Sequence, residues 1–395
     1  MKLLVVVPSL GAVYGGPSKS VIELTQALGK SGIHVDLVST NANGKDVIDL
    51  PVKTWVQRDN YRVQVFPCKT IGDYKLSISL TQWLFQHVRD YDIVQTNAIF
   101  SLPNLPAYLA CRWNNKPYVV IPRGMLEPWA LSYKAKKKKI YYDLIEKPAL
   151  KRASAIQMLA STEAAQIKPL NLQSPLVISP NVIHRQDFEA LPTGQSFYEQ
   201  FPETKDKKVI LFLGRIDPKK GLDLLATAFG RAKKQFPNIH LVVAGPDNIG
   251  FLPTVKQYFT DNQCLDSVTF TGILTGQIKY SALVAADYYV APSYSEGFSM
   301  SVLEGMAAGL PCIITTGCNF PEAAKANAAH VVPIDATAIT NALLDYLDNP
   351  EKASAMGKRA RQFISQNYTW DQIAKNLYKV YQKILDKQPL AQYAT

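Results

Sequence analysis

The sequence predicts an α/β protein made of two doubly wound, Rossmann-like domains in tandem, and three observations carry that prediction. Short apolar runs alternate with helix-length amphipathic segments from Lys2 onward, pause in a proline- and polar-rich stretch, and restart at Val209. Apolar runs end in loops that hold glycines and charged residues, which is where open parallel sheets place their ligands. A length of 395 residues is uncomfortable for one core and ordinary for two.

In the first half, residues 2–8 read as a buried strand, followed by the glycine-bearing loop 11–17 and a helix to about Lys30, with Gly32 past its end. Residues 35–39 form the next strand. The alternation continues through 93–96, the proline-rich segment 102–113, and strands at 118–121 and 155–158. Prolines and polar residues mark 191–208 as the linker, so the first domain is expected over 1–190. The second, over 209–369, opens with strand 209–213, the loop Gly214-Arg215, and a helix from Gly221 towards Gln235. Strands follow at 239–244, 268–271 and 288–291. Residues 299–308 form a helix closed by Gly309 and Pro311. The amphipathic segment 370–385, within a C-terminal tail 370–395, is expected to return and pack on the first domain.

Composition narrows the function classes. The five cysteines are odd in number and lack metal-ligand spacing, which reads as reduced, packed thiols. No apolar window is long enough for a membrane span and the N-terminal run is too short for a signal peptide, so a cytoplasmic protein is expected. The net charge of +11 is uneven: residues 1–190 hold 23 Lys and Arg against 14 Asp and Glu, the remainder 20 against 18. Lys134 and Lys136-Lys137-Lys138-Lys139 are its densest part, a basic segment with helical apolar spacing that suits a solvated helix face, an anionic substrate or the inner face of an anionic membrane. No zinc-finger, homeodomain or RNP pattern supports nucleic acid.

The most informative stretch is Ser295 to Gly305, with Glu296 in a loop and Glu304 in the following helix. Free N–H groups of Ser299, Met300 and Ser301 and the positive end of that helix suit a pyrophosphate, with a carboxylate on either side to accept hydroxyls. Together with Gly214-Arg215-Ile216-Asp217-Pro218-Lys219-Lys220-Gly221 and Ala244-Gly245-Pro246-Asp247, in this order and spacing, it resembles the retaining glycosyltransferases of family four, the group 1 enzymes. The resemblance takes in Gly15-Gly16, Pro122-Arg123-Gly124-Met125 and Pro180-Asn181. It implies the GT-B fold, two Rossmann-like domains facing across a cleft, the first binding the acceptor and the second the nucleotide sugar.

The resemblance also implies residue roles. Arg215 and Lys220 match the cations aimed at the phosphates of the departing nucleotide; Glu304 matches the ribose ligand, and Glu296 the carboxylate at the transferred sugar. Gly15, Gly16, Asn181, Gly245, Ile273 and Phe298 match donor-side positions, Ile273 reading the base through its backbone. Arg123 is the acceptor-side candidate. The reaction implied is retaining transfer of a glucose-type sugar from a nucleotide sugar to a glycan or lipid-linked acceptor in polysaccharide or glycolipid synthesis. Uridine and guanosine both fit, uridine being the more frequent in the family. No metal or other cofactor is demanded.

The chain departs from the family pattern at Asn97, where many members carry a histidine; an amide hydrogen-bonds a sugar but carries no proton. Asp90-Tyr91-Asp92 imitates a DxD metal site at the wrong end of a strand, and Asp36 imitates a ribose acid from inside one. Three other readings stand beside transfer. A nucleotide-sugar epimerase of the same fold would be separated by its product. A silent sugar-nucleotide-binding protein is kept open by Asn97. An NAD-dependent oxidoreductase has the wrong glycine spacing and no task for Arg215, Lys220, Glu296 and Glu304.

Overall fold

The computed structural model describes residues 1–14, 16–71, 74–126 and 139–390. The chain divides into two compact units. Unit 1 is Met1–Pro180 and takes in the chain again from Trp370; unit 2 is Asn181–Thr369. Each has its own apolar core against a parallel sheet.

Unit 1 contains β1 (Lys2–Ser9), β2 (His34–Thr40), β3 (Val56–Gln57), β4 (Tyr61–Phe66), β5 (Ile93–Asn97), β6 (Tyr118–Ile121), β7 (Ala155–Met158) and β8 (Leu176–Ile178). They lie in the order β8-β7-β6-β5-β1-β2-β4-β3, parallel except for β3, which runs antiparallel to β4. Leu3, Leu4, Val5 and Val6 are all fully buried, so β1 is covered on both faces and shows no inside–outside alternation. Helix α1 (Gly16–Lys30) follows β1, and α2 (Asn104–Trp113) follows β5. The proline-rich segment is thus helical: Pro103 precedes it and Pro106 lies in its first turn, where backbone N–H groups have no intrahelical acceptor to lose.

Unit 2 contains β9 (Lys208–Leu213), β10 (Ile239–Ala244), β11 (Val268–Gly272), β12 (Tyr288–Ala291), β13 (Cys312–Thr315) and β14 (His330–Val332), in the order β11-β10-β9-β12-β13-β14 and all parallel. The helices that position its site are α3 (Leu222–Gln235), α4 (Gly276–Ala285) and α5 (Met300–Ala307). Gly305 lets α5 lie on the sheet, because a Cβ there would come within 2.9 Å of the Tyr289 ring. The winding reverses beside the first strand of each sheet, between β1 and β5 and between β9 and β12. Such switch points open a crevice at the carboxyl ends of the strands.

The expected linker is corrected. Residues 191–208 are an ordered part of unit 2: Gln195–Gln200 is a helix, Phe197 and Thr204 are fully buried, and Ser281 Oγ donates to the Thr193 carbonyl at 2.7 Å. Turn-rich packed chain has the same proline and polar composition as a linker, and composition alone does not show packing. The unit boundary falls instead between Pro180 and Asn181. Helix α6 (Trp370–Leu385) belongs to unit 1, where it packs on α1 and buries Leu377, Val380 and Tyr381. Tyr381 Oη donates to Gln95 Oε1 at 2.5 Å. No helix among the described residues is long and apolar enough to cross a membrane.

Candidate functional site

At the β9/β12 crevice the chain leaves β9 through Gly214 and Arg215 into a turn over Pro218–Lys220. Asp217 caps the turn, Oδ1 accepting the Lys219 N–H at 3.1 Å. Gly221 then takes φ +69, and a Cβ there would lie 2.0 Å from the Pro292 carbonyl, so only glycine allows the two loops to meet. That contact brings Lys220 to Glu296: Nζ donates to Oε1, which also accepts Ser293 Oγ at 2.9 Å. The Glu296 backbone is held on both sides, its N–H donating to the Gly317 carbonyl at 2.8 Å and its carbonyl accepting Asn319 Nδ2. Both side chains of the pair are only 11 % exposed. Removing either would leave a buried charge uncompensated, at a cost of about 3–5 kcal/mol.

Ser299 stands at the N-terminus of α5, with no acidic residue in the first turn and no side-chain cap; its hydroxyl lies 3.2 Å from that of Ser301. Met300 is exposed. One turn on, Glu304 accepts Lys279 Nζ of α4 at 2.8 Å, the partner that a half-buried carboxylate requires. Lys279, Ser293 and Asn319 had no place in the sequence reading. A lysine in an otherwise apolar stretch of α4 was the only signal.

The remaining donor-side candidates separate. Gly245 allows backbone contact between loops, since a Cβ there would lie 1.8 Å from the Gly214 carbonyl. Ile273 is 65 % exposed just beyond Gly272 at φ +70. Arg215 is exposed and makes no ion pair among the described residues. Asn181 Nδ2 donates to the Phe298 carbonyl at 3.2 Å. The Phe298 side chain, however, is buried, stacked on Tyr368 at 5.9 Å and edge-on to Phe320 at 4.9 Å, so it supports the loop instead of facing a ligand.

In unit 1, Asn97 ends β5 and lines the cavity there: Oδ1 accepts Arg123 Nη2 at 2.9 Å, which aims the guanidinium, and Nδ2 donates to the Val6 carbonyl at 3.5 Å. Arg123 Nη1 also donates to Ser20 Oγ at 2.9 Å. Burial pushes Arg123 down to about 10, and it stays protonated at neutral pH. Below it, the buried Glu163 accepts the N–H groups of Gly124 at 3.1 Å and Leu159 at 2.6 Å and so fixes the loop after β6. Gly16 begins α1. Gly15, Lys134 and Lys136 to Lys138 lie outside the described residues; Lys139 is exposed.

The two decoys have structural employment. Asp36 is buried and forks to Arg62 at 2.8 and 2.5 Å, with Tyr91 Oη donating to it at 2.8 Å; Asp92 accepts the Lys2 N–H at 2.7 Å. The cysteines are all free thiols, and burial pushes Cys111 and Cys318 up to about 12.

Two family models match side by side: Glycosyltransferase Family 4 over residues 14–186 and Glycosyl transferases group 1 over 195–363. A GDP-mannose-dependent alpha-(1-6)-phosphatidylinositol monomannoside mannosyltransferase of Mycobacterium tuberculosis is 28% identical over 182 residues, 44% of this chain and 46% of that protein. The putative glycosyltransferase YtcC of Bacillus subtilis is 31% identical over 191 residues, 46% of each. The chain spans about half the length of the curated relatives it matches. Among solved structures, HepE of Anabaena in complex with UDP superposes with a TM-score of 0.75 at 17% identity, covering 97% of this chain and 100% of that one. Sucrose-phosphate synthase of Thermosynechococcus elongatus gives 0.73 at 19%, covering 98% and 100%. These structural likenesses establish the two-Rossmann GT-B fold.

Proposed function

This chain belongs to family four of the glycosyltransferases, the group 1 enzymes, and from that membership we propose that it moves a hexose from a nucleoside diphosphate sugar to a glycan or lipid-linked acceptor with retention of configuration. The observation that carries the reading is the β9/β12 crevice, where Lys220 meets Glu296 while Lys279 meets Glu304. As the donor enters, Arg215 and Lys220 take the phosphates and the start of α5 adds its N–H groups. Lys220 then shifts its charge from Glu296 to the phosphate, and Glu296 is released to accept a hydroxyl of the transferred sugar. Glu304, steadied by Lys279 through one oxygen, offers the other to the ribose. Charge that builds on the leaving phosphate meets cations already in place, which lowers the barrier without a metal ion. In a front-face transfer the leaving phosphate takes the acceptor proton, so no histidine is needed at Asn97.

Uridine with a glucose-type sugar is the first donor reading. The mannosyltransferase relatives, which are GDP-mannose-dependent, favour guanosine with mannose as the second. Thermal melts of the full chain with UDP, GDP, ADP, CDP and the parent nucleosides separate them. The matching diphosphate at 100 times its dissociation constant stabilises by about 2.7 kcal/mol, and its nucleoside by far less at equal concentration. No shift with any diphosphate would overturn the donor site.

A further inference from the structure

The β1/β5 crevice of unit 1 holds a cavity of about 300 Å³, the size of one sugar ring with little to spare, at the switch point of the sheet. Its lining contains two cations, Lys75 and Arg123, and no acidic residue among the described residues. Lys75 makes no ion pair among the described residues, and its Nζ lies 4.4 Å from the centre of the Tyr14 ring. Arg123 is aimed by Asn97 and Ser20, both neutral, and its Nε is buried without a hydrogen-bond partner. The acid that acts on Arg123, Glu163, does so through its charge without a hydrogen bond, its oxygens being directed at backbone N–H groups.

The walls are aromatic and braced. Tyr14 Oη accepts the Gly44 N–H at 3.1 Å, Tyr74 stacks on Tyr141 at 6.1 Å, and Phe100 packs against the same Tyr141 at 6.0 Å. Arg123, Ala98 and Phe100, all lining the cavity, have φ of +58, +64 and +57. Each costs about 1 kcal/mol in a residue with a Cβ, and such positions gather where the backbone is bent to serve a ligand. A buried donor without an acceptor and a lysine without an acid leave this crevice short of negative charge.

We propose that this crevice binds an acceptor sugar carrying an anionic group, a phosphate or a carboxylate, with Lys75 and Arg123 as the anion's ligands and Tyr14, Tyr74 and Phe100 against the ring. The proposal rests on the transferase reading above and deepens it by naming the acceptor class.

Calorimetric titration of the full chain at 0.15 M salt, about physiological, with glucose, glucose 6-phosphate, glucuronate and inorganic phosphate tests it. Glucose 6-phosphate or glucuronate should bind at least about tenfold tighter than glucose, and whichever leads identifies the anion. Lys75→Met, in the short hairpin that pairs Lys69–Ile71 with Tyr74–Leu76, should abolish most of that preference, with its circular dichroism compared against the parent. Arg123→Gln should do the same, with its circular dichroism compared against the parent. Equal binding of glucose and its anionic analogues overturns the proposal, as does a preference that survives Lys75→Met. Inorganic phosphate binding as tightly as glucose 6-phosphate would mean an adventitious ion only, and also overturns it. Nucleoside diphosphate melts on the same samples keep the two readings apart. A diphosphate shift without an anion preference removes this inference alone, whereas an anion preference without a diphosphate shift removes the donor reading and leaves the anion site.

Discussion

At the β9/β12 crevice Lys220 meets Glu296 and Lys279 meets Glu304, whereas at the β1/β5 crevice Arg123 donates to Asn97 and Ser20 and Lys75 lies over the ring of Tyr14, neither cation forming an ion pair among the described residues. The two sites grow from the same topology, a first strand with the winding reversed beside it, and differ in how charge is balanced. In unit 2 each candidate carboxylate already has a lysine, so the empty site is electrically settled and a ligand must exchange partners within it. In unit 1 neither cation has an ion-pair partner among the described residues, and on the proposal above the balancing charge comes with the ligand. Paired charge suits a donor that brings both phosphates and hydroxyls; unpaired charge suits a partner with one anionic group.

The comparison breaks most sharply at Glu296. Glu296→Gln keeps the size of the side chain and removes its charge, so transfer should fall by at least about 100-fold in kcat while the nucleoside diphosphate binds no more weakly than to the parent, since Lys220 no longer has a carboxylate to leave. Steady-state kinetics beside calorimetry reads both, and an unchanged kcat would take Glu296 out of the reaction. Next in size, the double variant Arg215→Ala with Lys220→Ala should weaken diphosphate binding by about 10- to 100-fold and leave the nucleoside nearly as it was. Equal losses for both ligands would contradict a phosphate clamp.

An effect on stability and not on binding lies in unit 1, behind Phe100. Glu146 is fully buried, accepts the Phe100 N–H at 2.7 Å and has no cation partner among the described residues; burial pushes it up to about 7. A carboxyl whose folded pKa is raised binds its proton more tightly in the folded state, so stability falls as pH rises from the unfolded value, about 4.3, to about 7 and is level above that. The slope is at most about 1.4 kcal/mol per pH unit. Glu146→Gln is neutral throughout and should lose this slope, gaining on the parent between pH 5 and pH 8 in urea or thermal melts. Parallel curves for the two proteins would show that Glu146 does not titrate in this window.

How far each site could be read in advance follows the same division. Four of the six unit 2 strands and α5 fell within one or two residues of expectation, because apolar runs and Gly309 at φ +87 are local signals, whereas β13 and β14 were not expected. Glu296 and Glu304 were legible because one contiguous stretch holds both. Their lysines were legible only in part: Lys220 belongs to a second motif, but Lys279 reaches Glu304 from another helix, and nothing in the sequence couples them. In unit 1, Asn97, Ser20, Lys75 and Arg123 come from four separate stretches, a strand end, a helix, a hairpin and a loop, and only the folded chain gathers them. That Asn97 accepts from Arg123 could therefore not be read in advance. The segment 191–208 misled for the opposite reason: it is local and polar, yet Phe197 anchors it in a core.

Helix α6 sets an order of events during synthesis. Unit 2 is one uninterrupted stretch, so everything its core needs has been made once Thr369 is added. Unit 1 is not: Tyr381 bonds Gln95 across a sequence separation of 286. Its sheet can assemble early, but the face that α6 covers stays open until the whole of unit 2 has emerged. Non-local contacts of this span form slowly and leave apolar surface exposed in the meantime. The growing chain is thus at its most aggregation-prone between its first 180 residues and the arrival of Trp370, and a ribosome that stalls within unit 2 would release unit 1 without the helix that covers α1.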